Sequence, residues 1–199
     1  MANRPYQPLL LRLLHGANAL FVVLALVTGY WVYNQFDGRW GRLRLPRLDG
    51  IIDLHGTIGL TFFLFVPFFA LYSLTLGRRR LVQSRDLAQL GQPATPQWWI
   101  ALHRLVNSVM LVASLLAWVS GKQMDETWLP QGQLHQPAYL FHLIAWAFMG
   151  VSLLLHLLMG VKVGGVPLLL SMVSPEVRSN DTPGHWLAQI KAWRDRKGN

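Results

Sequence analysis

The chain has 199 residues, of which 52% are hydrophobic and only 14% charged, whereas a soluble domain carries about a quarter charged residues. This composition excludes an ordinary soluble globular protein. Because the chain has no cysteine, it forms no disulfide, offers no thiolate to a metal and cannot tether a c-type haem. The net charge of +9 would suggest nucleic acid in a soluble chain, but in a membrane protein it indicates basic cytoplasmic flanks, so we expect no nucleic-acid partner.

Four apolar segments are long enough to cross a bilayer as helices, which takes about 20 residues each. They run from about 9 to 33, 51 to 76, 98 to 121 and 138 to 161. Residues 163–173 are also apolar, but this stretch is too short to cross and contains Gly164, Gly165 and Pro167. The sequence predicts an all-α integral membrane protein, a four-helix transmembrane bundle over residues 1–173 followed by a tail over 174–199.

Lysine and arginine mark the cytoplasmic side of a membrane protein. Twelve of them fall on the face that holds both termini, and five fall on the other face. We therefore expect the chain to span a bacterial inner membrane, or an equivalent energy-transducing membrane, with both termini on the cytoplasmic side. Arg39, Arg42, Arg44 and Arg47 lie in the first outer loop and weaken this asymmetry.

The tail has apolar residues at helical spacing opposite its basic ones, namely Trp186, Leu187, Ile190 and Trp193. This pattern predicts a C-terminal amphipathic helix on anionic membrane lipid. A helix that docks on a partner protein would show the same pattern.

Five of the seven histidines fall within the spans, where ionisable residues are expensive and usually functional. At about 1.5 Å of rise per residue, His15 and His156 lie roughly 7–9 Å inside the cytoplasmic ends of their spans, and His55 and His142 about 6 Å inside the outer ends. We call His15 and His156 the inner pair, and His55 and His142 the outer pair. His142 and His156 also share one helix face.

Two imidazole pairs at two depths are what two six-coordinate haems need, since each low-spin haem takes one neutral imidazole above and one below. The pattern predicts two non-covalent b haems. Gly29 and Gly59 would leave room for the rings, Arg12 and Arg104 would meet the propionates of the inner haem, and the outer-loop arginines would meet those of the outer haem. Histidines that only hydrogen-bond between helices or relay protons remain an alternative.

His103 lies at the inner depth and competes with the inner pair for iron. Because a haem iron accepts only two axial imidazoles, we expect His103 to donate a hydrogen bond to a propionate or a quinone instead.

The spans carry Arg12-Leu-Leu-His15, Thr28-Gly29, His55 with Gly59, Ser120-Gly121, and His142 with His156. On these residues the chain resembles, over residues 9 to 162, the prokaryotic di-haem cytochrome b family, which includes hydrogenase and formate dehydrogenase cytochrome b subunits and superoxide-oxidising cytochromes. The resemblance implies the pairing of His15 with His156 and of His55 with His142. The chain departs from the family in Gly16, where members often have an aromatic residue, and in His103.

The resulting hypothesis is membrane electron transfer through two b haems, exchanging electrons with a quinone. The chain would act alone, with a redox partner protein, or within a larger respiratory or photosynthetic complex. The first alternative is a superoxide:quinone oxidoreductase whose outer-loop arginines and Lys122 attract the anion. The second is a haem-free structural membrane subunit or transporter.

Overall fold

The computed structural model describes residues 5–195, apart from the side chains of residues 189, 190 and 193. The predicted roles of Ile190 and Trp193 on the apolar face of the tail therefore lie outside the described residues. Within residues 5–195 the secondary structure is entirely helical. The helices are α1 (Leu9–Phe36), α2 (Ile51–Leu74), α3 (Ser84–Gln89), α4 (Pro96–Lys122), α5 (Pro137–Ser171) and α6 (Pro183–Asp195), with one 3₁₀ turn at Arg78–Arg80.

Four of these helices, α1, α2, α4 and α5, are long and apolar enough to cross a membrane. The reason is physical: a lipid-exposed backbone must satisfy its own hydrogen bonds, which an uninterrupted apolar helix does. Their outward side chains are apolar and exposed, as Leu20, Phe68 and Leu154 show. This confirms the predicted all-α, multi-pass integral membrane protein.

Helix α5 is interrupted at Gly165, where φ is 66° and ψ is 179°. This left-handed backbone is essentially restricted to glycine. The break separates the membrane-length part of α5 from the short apolar stretch that follows, so the stretch over 163–173 adds no fifth span among the described residues.

The chain divides into two compact units. The first comprises the described residues of Met1–Ala17, Phe68–Asn107 and Leu155–Asn199, and the second comprises Asn18–Pro67 and Ser108–Leu154. Segments of all four long helices pack together in each unit. The core of the second unit contains the buried side chains of Val22, Phe62, Val66, Ala113 and Met149.

In the first unit, the tail is joined to the start of α1 through Asp181, which is only 6% exposed. Its carboxylate accepts hydrogen bonds from the Tyr6 hydroxyl at 2.7 Å, the Leu9 amide at 2.6 Å and the Trp186 indole at 3.2 Å. Burial acts to raise the pKa of Asp181, but these hydrogen bonds and nearby Arg12 outweigh it and hold the pKa below its usual value. Asp181 therefore caps the positive end of α1.

The predicted apolar face of the tail divides between two environments. Trp186 is half-buried against Asp181, whereas Leu187 is 75% exposed. The first turn of α6 thus packs on the protein, and the side chain of Leu187 remains available to lipid or to a partner.

Helix α3 is an element that the sequence analysis did not predict. Its Asp86 is fully buried, accepts the amide proton of Gln83 at 2.8 Å and pairs with Arg104 at 2.8 Å. Gln83 and Asp86 have the three-residue spacing of a capping box but not its usual residue types, Ser or Thr followed by Glu or Gln, so the sequence did not indicate the helix start.

Candidate functional site

The outer pair lies in the second unit, with His55 on α2 and His142 on α5. The centroids of the two imidazole rings are 6.0 Å apart. A metal–imidazole bond is about 2 Å long, so two imidazoles on opposite sides of one metal ion have centroids roughly 6 Å apart. The spacing of the outer pair therefore fits one iron between the rings.

The Nδ1 atom of His55 lies 2.9 Å from the Thr28 hydroxyl oxygen. That hydroxyl already donates its proton to the Leu24 carbonyl at 2.7 Å, so it can only accept from the histidine. His55 must carry its proton on Nδ1, and its Nε2 keeps the lone pair that a metal needs. Metal-bound histidines are commonly held by this kind of contact on the other nitrogen.

His142 is held in the same protonation state by a different acceptor. Its Nδ1 lies 3.0 Å from the Ala117 carbonyl oxygen, which can only accept. The Ser120 hydroxyl lies 3.1 Å from the same nitrogen and donates its own proton to the Leu116 carbonyl. The Nε2 atom of His142 is therefore also free of a proton.

Two glycines give these imidazoles their space. A Cβ atom on Gly29 would lie 3.1 Å from Cε1 of His55 and 3.3 Å from the Trp146 ring. A Cβ atom on Gly121 would lie 3.1 Å from Cε1 of His142. The structure thus gives Gly29 a role that the sequence did not predict, which is to allow the close approach of the His55 ring; room for a haem ring stays a prediction.

A cavity of about 640 Å³ opens beside the outer pair, within the usual size range of cofactor pockets, about 300–1,000 Å³. Its lining includes both histidines, Gly59, Trp146 and Met149. A Cβ atom added at Gly59 would meet nothing within 4 Å, so Gly59 borders open space. Lys122 also lines the cavity, together with three carboxylates: Asp53, Asp125 and Glu126.

Two of the outer-loop arginines have structural contacts in the second unit. Arg39 pairs with the buried carboxylate of Asp37 at 2.8 Å and donates to the Leu134 carbonyl, while Arg42 donates to the carbonyl of Asp37. Tyr139 donates its hydroxyl proton to the same carboxylate at 2.7 Å. Burial acts to raise the pKa of Asp37, but the bonds from Arg39 and Tyr139 outweigh it and lower the pKa. These contacts hold Arg39 and Arg42 on this face, and a role for the outer-loop arginines with a haem propionate stays a prediction.

The inner pair lies in the first unit, with His15 on α1 and His156 on α5. Their ring centroids are also 6.0 Å apart, which again fits one iron between two imidazoles. The Nδ1 atom of His156 lies 2.8 Å from Oδ1 of Asn107. The edge of the Phe69 ring contacts His15, with the two ring centroids 6.3 Å apart.

His103 lies beside His156, with ring centroids 5.2 Å apart. Its Nε2 atom is buried and has no hydrogen-bond partner among the described residues. An unpaired buried nitrogen is costly. A bound group beside His103 would supply the missing partner.

The two predicted propionate partners both have protein contacts in the first unit. Arg12 is buried and donates to the carbonyl oxygens of Ser174 and Glu176, while its Nε has no partner among the described residues. Arg104 forms the ion pair with Asp86. Lys162 lies 5.1 Å from the centre of the Trp99 ring.

The sequence analysis identified the histidines but did not assign the residues that hold their Nδ1 atoms. Thr28 and Ser120 appear there only as parts of Thr28-Gly29 and Ser120-Gly121, and Asn107 has no assigned role. Their signal was a hydrogen-bonding side chain inside an apolar span, where polar groups are expensive.

A model of the prokaryotic cytochrome b561 family matches residues 6–175 of the chain. Comparisons with curated proteins and with solved structures gave no match.

Proposed function

The chain belongs to the prokaryotic cytochrome b561 family, and we propose that it carries electrons through two non-covalent b-type haems, one per histidine pair. Membrane electron transfer through b-type haem is the activity that this family indicates. The number of haems, their ligands and the electron partners are our proposal.

The observation that carries the proposal is the equal spacing of the two pairs. His15 and His156 are separated by the same 6.0 Å between centroids as His55 and His142. A spacing near 6 Å is also found between packed aromatic rings of the protein, so the proposal draws on the spacing together with the Nδ1 contacts of the histidines. Three of the four also have an Nδ1 contact to an oxygen atom, which a metal-binding imidazole needs in order to present Nε2.

A b-type haem supplies an iron that takes up and releases one electron at a time. The residues of the chain bind and tune it. The four histidines are the proposed axial ligands, and their Nδ1 acceptors fix the ring orientation. Gly29 and Gly59 leave space, and the outer cavity borders both histidines of its pair.

Arg12 and Arg104 belong to the same unit as the inner pair. We propose them as partners for the propionates of the inner haem, since guanidinium groups bind carboxylates with two parallel hydrogen bonds. Their protein contacts would hold both side chains in position before the haem binds.

The proposed electron partner is a membrane quinone, with a redox partner protein or a larger respiratory or photosynthetic complex as the setting. The excess of basic residues on the face that holds the two termini supports a cytoplasmic location for both termini. The exposed apolar side chains of the long helices support contact with membrane lipid.

Superoxide oxidation is less well supported than quinone-linked electron transfer. Arg39 and Arg42, which were expected to attract the anion, bond to Asp37 and Leu134. Three carboxylates beside the single Lys122 make the cavity lining more negative than positive. A haem-free role is disfavoured by the family and by the protonation state of His55 and His142.

The direct test is the haem content of the purified protein. Acid acetone should extract all the haem, because no cysteine can tether it, and a pyridine haemochrome assay should give two b haems per chain. A single haem, or none, would contradict the proposal.

A further inference from the structure

Asn107 lies inside α4 and has both ends of its amide group engaged. Its Nδ2 donates to the Arg80 carbonyl at 2.9 Å, and its Oδ1 lies 2.8 Å from Nδ1 of His156. Because a carbonyl oxygen can only accept, the first contact fixes which end of the amide faces the histidine. Asn107 therefore accepts the Nδ1 proton of His156, and Nε2 of His156 is left with its lone pair.

An asparagine at this position is energetically unfavourable, which suggests that it has a specific role. Asparagine is a weak helix former, and a polar amide within an apolar span is expensive unless it is paired. The Arg80 carbonyl belongs to the Arg78–Arg80 turn, which lies between α2 and α4. Asn107 thus connects a rigid turn outside the long helices to an imidazole of the inner pair.

We propose that Asn107 is the positioning residue for the inner haem, and that it sets the orientation of His156 and the reduction potential of that haem. This inference rests on the proposed function. An acceptor on Nδ1 makes an imidazole more basic. A more basic axial ligand stabilises ferric iron relative to ferrous iron, so the contact with Asn107 lowers the potential of the inner haem.

The outer pair offers an internal comparison, because one of its acceptors is the backbone carbonyl of Ala117. A backbone carbonyl remains after any side-chain substitution. The acceptor of His156 is a side chain that substitution can remove, so the reduction potential of the inner haem can be changed without changing that of the outer haem.

The experiment is a redox titration of the full-length, haem-loaded protein with two variants and one control. Asn107→Leu is nearly isosteric and removes the acceptor, whereas Asn107→Asp keeps an oxygen at the same place. The control is Ser171→Ala, a buried residue of the same unit whose hydroxyl, within the described part of the chain, donates to the Leu168 carbonyl of its own helix.

We expect Asn107→Leu to raise the potential of the inner haem and leave the outer haem unchanged. It should also alter the low-spin electron paramagnetic resonance signal of the inner haem, because the His156 ring is free to turn. Asn107→Asp should keep a potential at or below the native one, and Ser171→Ala should change neither haem. Loss of the inner haem in Asn107→Leu with retention in Asn107→Asp would also support the proposal, because only the latter keeps the acceptor.

Equal shifts, equal losses or no shift in the two Asn107 variants would overturn the inference, since each would show that the acceptor is irrelevant. These outcomes differ from failure of the proposed function, in which the unsubstituted protein itself would lack the inner haem.

Discussion

The outer and inner pairs have the same spacing but are supported in different ways. At the outer pair, each imidazole faces a hydroxyl residue followed directly by a glycine: Thr28-Gly29 for His55 and Ser120-Gly121 for His142. In both, the hydroxyl contacts Nδ1 and the glycine leaves space for the ring. At the inner pair, an asparagine contacts His156 and a third histidine lies beside it.

The same spacing between two imidazoles is thus reached through neighbouring residues in the outer pair and through residues distant in sequence in the inner pair. At the outer pair, the hydroxyl residue orients the imidazole and the adjacent glycine leaves space for its ring, both from one turn of a helix. The inner pair depends on the amide of Asn107, which is itself held by the carbonyl of Arg80. We therefore expect the outer pair to be sensitive to small changes in side-chain volume, and the inner pair to changes in hydrogen bonding.

The largest expected effect is the difference between His15→Ala and His103→Ala at the inner haem. His15→Ala should abolish the low-spin inner haem, because it removes an axial ligand. His103→Ala should keep both haems low-spin and should shift the inner potential or slow quinone reduction. Visible and paramagnetic resonance spectra would measure both. An inner haem lost in His103→Ala but kept in His15→Ala would make His103 the partner of His156.

The outer pair should lose its haem when a larger side chain fills the space that Gly29 leaves beside the His55 ring. Gly29→Val would push against Cε1 of His55 and against Trp146, at a cost of about 1–3 kcal/mol for overpacking. We expect most of the outer haem to be lost and the inner haem to remain. Gly16→Val on the same helix is the matched control, because a Cβ atom there meets nothing within 4 Å. Equal content of the outer haem in the two valine variants would contradict this role for Gly29.

A smaller effect should separate the two acceptors of the outer pair. Thr28→Val is isosteric and removes the acceptor of His55, and loss of such a contact lowers metal affinity about 10–100-fold. Ser120→Ala should have less effect, because the Ala117 carbonyl still accepts from His142. Haem-release rates and the outer potential would measure the difference. A larger effect in Ser120→Ala would reverse the assigned roles.

The smallest expected effect is on stability rather than on haem. Asp37→Asn should lower the free energy of unfolding by about 1.5–3 kcal/mol, the range for hydrogen bonds to a charged group. Because the pKa of Asp37 in the folded protein lies below its usual value, the stabilisation is present above that usual value. It is lost as the pH falls through the folded pKa.

Thermal unfolding in detergent at several pH values would follow this difference. Asp125→Asn is the control, since Asp125 is exposed and its carboxylate accepts, among the described residues, from the amide and hydroxyl of nearby Thr127. A difference between Asp37→Asn and the native protein that grows as the pH falls would have the wrong sign.

The long helices were predictable because apolar length alone requires a membrane span. Helix α3 was not, because its formation depends on the buried pairing of Asp86 with Arg104, which lies 18 residues away. The break at Gly165 was indicated by Gly164, Gly165 and Pro167. The link between Asp181 and the start of α1 spans 172 residues, and no local pattern could have indicated it.

The histidine pairing was predictable from depth, since helical rise converts sequence position into height in the membrane. Depth says nothing about which oxygen atom faces each Nδ1, because that depends on helix rotation and side-chain rotamer. The same limitation applies to Arg12, whose contacts with Ser174 and Glu176 required the three-dimensional structure.

The account depends most on the independence of the two histidine pairs, which the haem content of His142→Ala and His156→Ala tests most directly. We predict that each variant binds one haem per chain and that the two retain different haems, as judged by spectrum and potential. Loss of both haems from either variant while it remains folded, or retention of both, would contradict the assigned pairs.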